Sequence, residues 1–160
     1  NYNSIFLGQH DALFAGTELI EYAATQSYEI LGLKNSVIKA PKLFLFGSVD
    51  SMFRADTSLF EMLNRLPFET FINIGLESAD PDTLAQIEKP LNREKVTRAF
   101  KQMMAINKKY TKVEISANFL YGADLPETHM PSILELTRNQ LDHFQMTISG
   151  QEKHGCQEHE

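Results

Sequence analysis

The chain has 160 residues, of which 42% are hydrophobic and 22% charged, and its formal net charge is −6 at pH 7. These values are typical of one globular domain, and they exclude a fully disordered chain and a fibrous one. An acidic chain is also a poor candidate for binding nucleic acid, because the phosphate backbone needs clustered cations. We therefore expect no nucleic-acid partner.

The cysteine count and the start of the chain further limit the kind of protein that this chain can be. Cys156 is the single cysteine, which excludes a disulfide framework and an all-cysteine metal site within the chain. No stretch resembles a signal peptide or a transmembrane helix, so we expect a cytoplasmic protein with no membrane partner. The chain starts in an apolar run, residues 5–7, without an initiator methionine. We therefore expect either that residues have been cut away or that the chain is a piece of a longer protein.

The first half of the chain alternates predicted strands with helices. Residues 4–8 are a short apolar run closed by glycine, which predicts a buried strand. Apolar positions at helical spacing predict a helix over residues 17–31. Residues 43–47 are apolar on both faces, which is typical of a parallel strand covered on both sides. A capped helix over residues 57–66 follows, and a proline ends it.

The second half continues the alternation. Its predicted elements are strands over residues 70–78 and 112–121 and helices over residues 81–88, 92–109 and 128–139. Residues 141–149 are ambiguous, and the polar composition from Gly150 onward predicts a disordered tail. Strands that alternate with helices indicate a parallel sheet. We treat residues 1–140 as the α/β domain and residues 141–160 as an extension.

The two later strands distinguish an open, doubly wound sheet from part of a barrel. Side chains alternate between the faces of a strand, so each strand has an apolar face and a second face. The apolar positions are Ile72, Ile74, Leu76, Val113, Ile115, Ala117 and Phe119. The opposite positions are Asn73, Gly75, Glu77, Glu114, Ser116 and Asn118. This pattern favours a parallel-stranded partial (βα) barrel of about four βα units with a polar lumen; the alternative is a merely solvated face.

Three segments, in order, resemble radical SAM enzymes. Residues 74–80 (Ile-Gly-Leu-Glu-Ser-Ala-Asp), continuing through the leucine, isoleucine, lysine and proline of residues 84–90, resemble the fourth strand and following helix of that family. Residues 118–122 are similar to the next strand, and residues 5–13 to the second strand and its glycine-rich turn. The resemblance covers roughly residues 4–138.

The resemblance implies a partial (βα)6 barrel in which a CxxxCxxC loop after the first strand holds a [4Fe–4S] cluster. S-adenosylmethionine bound at that cluster is cleaved reductively to a 5′-deoxyadenosyl radical. Carried over by position, the candidate cofactor-binding residues form three groups. These are Gly8, Gln9 and His10 at the methionine amino group, Glu77 and Ser78 at the ribose or the carboxylate, and Phe119, Leu120 and Gly122 near the adenine; Asn118 is a further candidate cofactor-binding residue.

The cluster loop is missing from this chain, because its place in the family lies upstream of Ser4. The resemblance therefore implies a fragment of a radical SAM enzyme that is inactive as given. S-adenosylmethionine and the [4Fe–4S] cluster would be cofactors of the full-length parent, and we expect neither to bind this chain tightly. The substrate is not indicated.

Two other functions stay open at this point. His10, Asp11, Glu77 and His129 fall at or after strand ends and could supply nitrogen and oxygen ligands to a divalent metal in a hydrolase. Alternatively, the chain could be a non-enzymatic interaction module that self-associates through exposed sheet edges.

Overall fold

A four-stranded, all-parallel sheet organises the chain in a computed structural model that describes residues 3–38, 40–122 and 124–141. The strands are β1 (Ser4–Leu7), β2 (Lys42–Gly47), β3 (Glu69–Glu77) and β4 (Val113–Phe119). Each strand pairs with the next one in chain order, through four, six and seven residue pairs respectively. The predicted α/β class and parallel sheet are therefore confirmed.

In the part of the chain that the structure describes, six α-helices connect or follow the strands. They are α1 (Thr17–Ile30), α2 (Val49–Arg54), α3 (Thr57–Arg65), α4 (Pro81–Gln86), α5 (Arg93–Lys109) and α6 (His129–Leu141). The sequence predicts all of them except α2; α4 is equally short, but a proline at its first position marks its start. A capping box starts α2: the Ser51 amide donates to Ser48 Oγ at 3.0 Å, and the Ser48 amide donates to Ser51 Oγ at 2.9 Å.

The hydrophobic core lies between one face of the sheet and the helices. Burial alternates along β3, so that Ile72, Ile74 and Leu76 are fully buried and the residues between them are not. Val113 and Ile115 of β4 join the same core. Each such side chain contributes about 1.5–3 kcal/mol through burial. The predicted apolar face of these strands is confirmed.

We call the opposite side of the sheet the open face; it carries Phe6, Phe44, Phe46, Phe71, Asn73, Gly75, Glu77, Glu114, Ser116 and Asn118. Among the residues that the structure describes, no helix covers it. The prediction that β2 is covered on both sides is wrong, since Phe44 and Phe46 are only half-buried. The prediction of a buried first strand is also wrong, because Phe6 is 63% exposed.

The apolar residues of the open face bury surface against one another instead of against a helix. The ring centroids of Phe6 and Phe44 lie 4.7 Å apart, and those of Phe44 and Phe71 lie 5.3 Å apart, with the rings stacked in both pairs. These rings occupy matched register positions on three adjacent strands. This ladder explains how β1 and β2 can be apolar on both faces without a second layer.

Part of the sequence-based interpretation falls outside the described residues. This holds for the ambiguous segment beyond Leu141 and for the predicted tail from Gly150, which includes Cys156. Within residues 3–38, 40–122 and 124–141, none of the helices combines the length and apolar character that crossing a bilayer requires.

Candidate functional site

A pocket of about 300 Å³ opens at the carboxyl end of the sheet, on the open face. Its polar lining includes His10, Asn73, Glu77 and Asn118, and Phe46 forms an apolar wall. The volume is at the lower end of the range for small-molecule sites, which lie at about 300–1,000 Å³. In parallel α/β folds, this edge of the sheet is where ligands bind.

Glu77 is one of two carboxylates that line the pocket, together with Asp50, and its backbone conformation is unusual. Its φ is +65°, a left-handed value that is uncommon for a residue other than glycine, and the β3–β4 register shifts between Gly75 and Glu77. Lys89 Nζ lies 3.1 Å from Glu77 Oε1, and both side chains are partly exposed. The pair therefore presents opposite charges to the pocket.

Gly75 provides the space that this ion pair occupies. A Cβ at position 75 would lie 2.5 Å from Glu77 Oε1 and 3.4 Å from Lys89 Nζ. Gly47 differs, because its Cβ would meet the core side chain of Leu13 at 2.5 Å. Both glycines line the pocket, but Gly75 makes room for the ion pair, whereas Gly47 makes room for core packing.

Asn73 and Asn118 form a reciprocal amide pair across β3 and β4. Asn73 Nδ2 donates to Asn118 Oδ1 at 2.9 Å and to Ser116 Oγ at 3.1 Å, and Asn118 Nδ2 donates to Asn73 Oδ1 at 2.6 Å. Each amide orients the other, which leaves their remaining donors and acceptors at fixed positions on the open face.

The turn after β1 brings one predicted residue to the pocket. Gly8 has a φ of +76°, and a Cβ there would lie 3.0 Å from Ala12 Cβ, so the tight turn requires glycine. His10 lines the pocket, whereas Gln9 is exposed and does not line it. The turn thus delivers a histidine to one wall.

Asp11 turns toward the start of α2. Burial raises the pKa of its carboxyl, but the nearby hydroxyls of Ser51 and Ser48 and the backbone amides of Ser48 and Phe14 outweigh burial and hold that pKa below its ordinary value. The carboxylate therefore lies close to the N-terminus of α2.

Six of the nine predicted cofactor-binding residues lie outside the pocket lining: Gly8 and Gln9 in the turn after β1, and Ser78, Phe119, Leu120 and Gly122. Ser78 is fully buried, and its Oγ lies 2.9 Å from His129 Nδ1. Phe119 packs against the core, Leu120 is half-buried and Gly122 is exposed. Of the predicted cofactor-binding residues, the structure brings His10, Glu77 and Asn118 together in the pocket. The assignment of all nine to a cofactor stays a prediction.

The four candidate metal ligands do not converge. Asp11 faces α2, and both ring nitrogens of the buried His129 have protein partners, Ser78 Oγ and the Leu120 carbonyl. Across the ranges that the structure describes, no group of three or more His, Cys, Asp or Glu side chains could hold a metal ion.

Sequence reasoning did not select Asn73, Lys89 or Phe46 as site residues. Asn73 could have been found, because the period-two pattern places it on the face of Glu77. Lys89 gave no such signal, because it follows a short helix and reaches Glu77 only through the fold. Phe46 looked like a core residue of a covered strand.

Comparison with known proteins does not indicate a family or a function for this chain. The chain matches no protein-family model, no curated protein and no solved structure at a significant level.

Proposed function

We propose that the chain is part of a radical SAM enzyme and that its open face belongs to the lumen of a partial (βα) barrel. One observation carries this proposal: Glu77 and Asn118, from two separate segments that resemble the family, line one pocket at the carboxyl end of the sheet. The strand order β1-β2-β3-β4 supports it as well, because a doubly wound sheet reverses its strand order and a barrel does not.

The chemistry of the pocket suits S-adenosylmethionine, which carries a ribose diol, an ammonium group and a carboxylate. The Glu77 carboxylate would accept hydrogen bonds from the diol or the ammonium group, and Lys89 would pair with the ligand carboxylate. Asn118, already oriented by Asn73, would offer an amide at the same edge. These residues would bind and orient the ligand, and S-adenosylmethionine reduced at a cluster would supply an adenosyl radical.

The residues described here do not fit the iron–sulfur cluster. Such a cluster needs several thiolates, and the chain has one cysteine, Cys156. The cluster ligands would therefore come from another part of a longer protein. For this chain alone we propose weak ligand binding and no catalysis.

Titration of the 15N-labelled chain with S-adenosylmethionine tests the binding role. We expect weak binding, far from the nanomolar range, with NMR shifts concentrated at Glu77, Asn118 and Lys89. Glu77→Gln should weaken binding at least about tenfold, because it removes a charged hydrogen-bond partner. Glu114→Gln is the matched control, since Glu114 lies exposed on the same open face, nearer the start of β4.

Two results contradict the proposal. Nanomolar affinity, or shifts confined to residues away from the pocket, would exclude the binding role described above. Sequencing of the parent gene upstream of the codon for Asn1 tests the enzyme class separately. Three encoded cysteines spaced CxxxCxxC would support a radical SAM enzyme, and a parent gene without them would overturn that class.

An interaction module is the second candidate, favoured by the properties of the β1 edge. Residues 4–7 carry no charge, and Phe6 is 63% exposed at this edge. The opposite edge, β4, carries the exposed Glu114, a charge of the kind that discourages strand addition. Self-association through β1 is therefore the form of this function that the structure favours.

A further inference from the structure

A buried histidine joins the ends of β3 and β4 to the start of α6. His129 is 1% exposed; its Nδ1 lies 2.9 Å from Ser78 Oγ, and its Nε2 lies 3.0 Å from the Leu120 carbonyl oxygen. A carbonyl oxygen only accepts, so the partners assign the proton to Nε2. In the neutral ring, Nδ1 then accepts a hydrogen bond from the Ser78 hydroxyl.

Backbone hydrogen bonds close this arrangement around Glu77. The Leu120 amide donates to the Glu77 carbonyl at 2.8 Å, so Leu120 is held by Glu77 on one side and by His129 on the other. Ser78, the residue after Glu77, is held by His129 and by the Asp80 amide, which donates to Ser78 Oγ at 2.9 Å. Glu77 is therefore one member of a closed ring: its carbonyl bonds the Leu120 amide, the Leu120 carbonyl bonds His129, and His129 bonds Ser78, the residue after Glu77.

The conformation of Glu77 is one that needs such support. A left-handed φ of +65° is unfavourable for a glutamate and persists only where the surroundings enforce it. If the residue relaxed to an extended conformation, the register shift beside it would be lost, and the side chain would leave its present position. The carboxylate would then move away from Gly75 and Lys89.

We infer that His129 is a positioning residue for Glu77: by tying Ser78 to Leu120, it holds the left-handed backbone that directs the Glu77 carboxylate into the pocket. His129 contacts no ligand in this role, because it is buried and both ring nitrogens are occupied. The consequence for ligand binding rests on the proposed function, whereas the consequence for the Glu77 backbone does not.

NMR of His129 variants tests this inference. In the native chain, 13C shifts and the HN–Hα coupling of Glu77 should report a positive φ, and long-range 15N spectra should show His129 protonated at Nε2. In His129→Leu, we expect Glu77 to lose the positive φ and the Leu120 amide to exchange roughly fivefold to tenfold faster than in the native chain.

Asn107→Leu is the matched control. Asn107, on α5, also bonds β4 with a donor and an acceptor, at 2.9 and 2.7 Å from the Ile115 carbonyl and amide, but Ile115 pairs with Ile72, away from Glu77 at the end of β3. This variant should lose stability and leave the Glu77 shifts unchanged. Equal changes at Glu77 in both variants would mean that His129 acts only through general stability, which overturns the inference.

Two milder variants keep the test decisive if His129→Leu does not fold. His129→Gln keeps a donor and an acceptor but loses the rigid ring that fixes their relative positions, and Ser78→Ala removes the hydroxyl itself. A positive φ at Glu77 that persists in both variants refutes the positioning role. Altered Glu77 signals in the variants, with no response of the native chain to S-adenosylmethionine, would support the positioning role and count against the proposed function alone.

Discussion

Replacing Asp80 with alanine tests the capping interaction that fixes the loop after β3. Asp80 occupies the N-cap position of α4, with Pro81 in the first helical turn, and it is 5% exposed. Its Oδ2 accepts hydrogen bonds from the Thr83 amide at 2.9 Å and from Thr83 Oγ1 at 2.8 Å. Asp80→Ala removes both bonds at once.

The magnitude follows from these two contacts. Loss of an N-cap side chain costs about 1 kcal/mol in typical cases, within a range of about 0.5–2 kcal/mol. Thr83 is fully buried, so its hydroxyl loses its acceptor without gaining water, which costs about 1–2 kcal/mol more. We therefore expect Asp80→Ala to lower the free energy of unfolding by about 2–3 kcal/mol.

Urea unfolding followed by circular dichroism measures this change, and α3 supplies the control. Asp56 occupies the N-cap position of α3, but its side chain makes no capping hydrogen bond. Asp56→Ala should therefore change stability by less than about 0.5 kcal/mol. If the two variants were equally stable, the reasoning from side-chain caps to stability in this chain would be refuted.

The remaining predictions concern acid stability and self-association. Burial raises the pKa of the Asp80 carboxyl, but the Thr83 amide and hydroxyl, Thr128 and the nearby His129 lower it more. The pKa of Asp11 is lowered as well. Both carboxyls therefore stabilise the folded chain above their ordinary pKa of 3.8, and this stability is lost as the pH falls through the lower pKa values of the folded state. Urea midpoints measured from pH 6 to pH 2 should show this loss, and Asp11→Asn combined with Asp80→Asn should flatten it; an unchanged slope contradicts the assignment. Phe6→Ser should weaken self-association in sedimentation velocity, whereas Phe14→Ser, at a 71%-exposed ring outside the sheet, should not; a native chain that is monomeric at every concentration would exclude the β1 interface.

The class and most elements of the fold could be predicted from the sequence, because periodicity reports burial directly. The period-two pattern of β3 identified its buried face and placed Glu77 on the other one. The same rule failed for β2, whose phenylalanines gave no sign that their partners would be other phenylalanines. Helix α2 was not predicted because six residues cannot display a helical period and because it lacks the initial proline that marks the equally short α4.

The candidate site was predictable only where it follows strand ends. His10, Glu77 and Asn118 come at or near such ends, and the parallel sheet brings these ends to one edge. Lys89 and His129 reach the site only because of the tertiary fold. Lys89 lies next to Gly75, and the buried His129 contacts Ser78 in the loop after β3. The sequence placed His129 among possible metal ligands because pattern alone does not show which side chains become buried.

The unequal strand pairing divides the pocket between regions that open at different free energies. β1 is held by four residue pairs at a sheet edge, while β3 is flanked on both sides, through six pairs with β2 and seven with β4. Local unfolding should therefore release β1 well before β3. His10 follows β1 and Glu77 ends β3. The pocket wall that contains His10 can therefore detach while the Glu77 carboxylate keeps its position. Ligand entry through this fraying edge would need no hinge or lid.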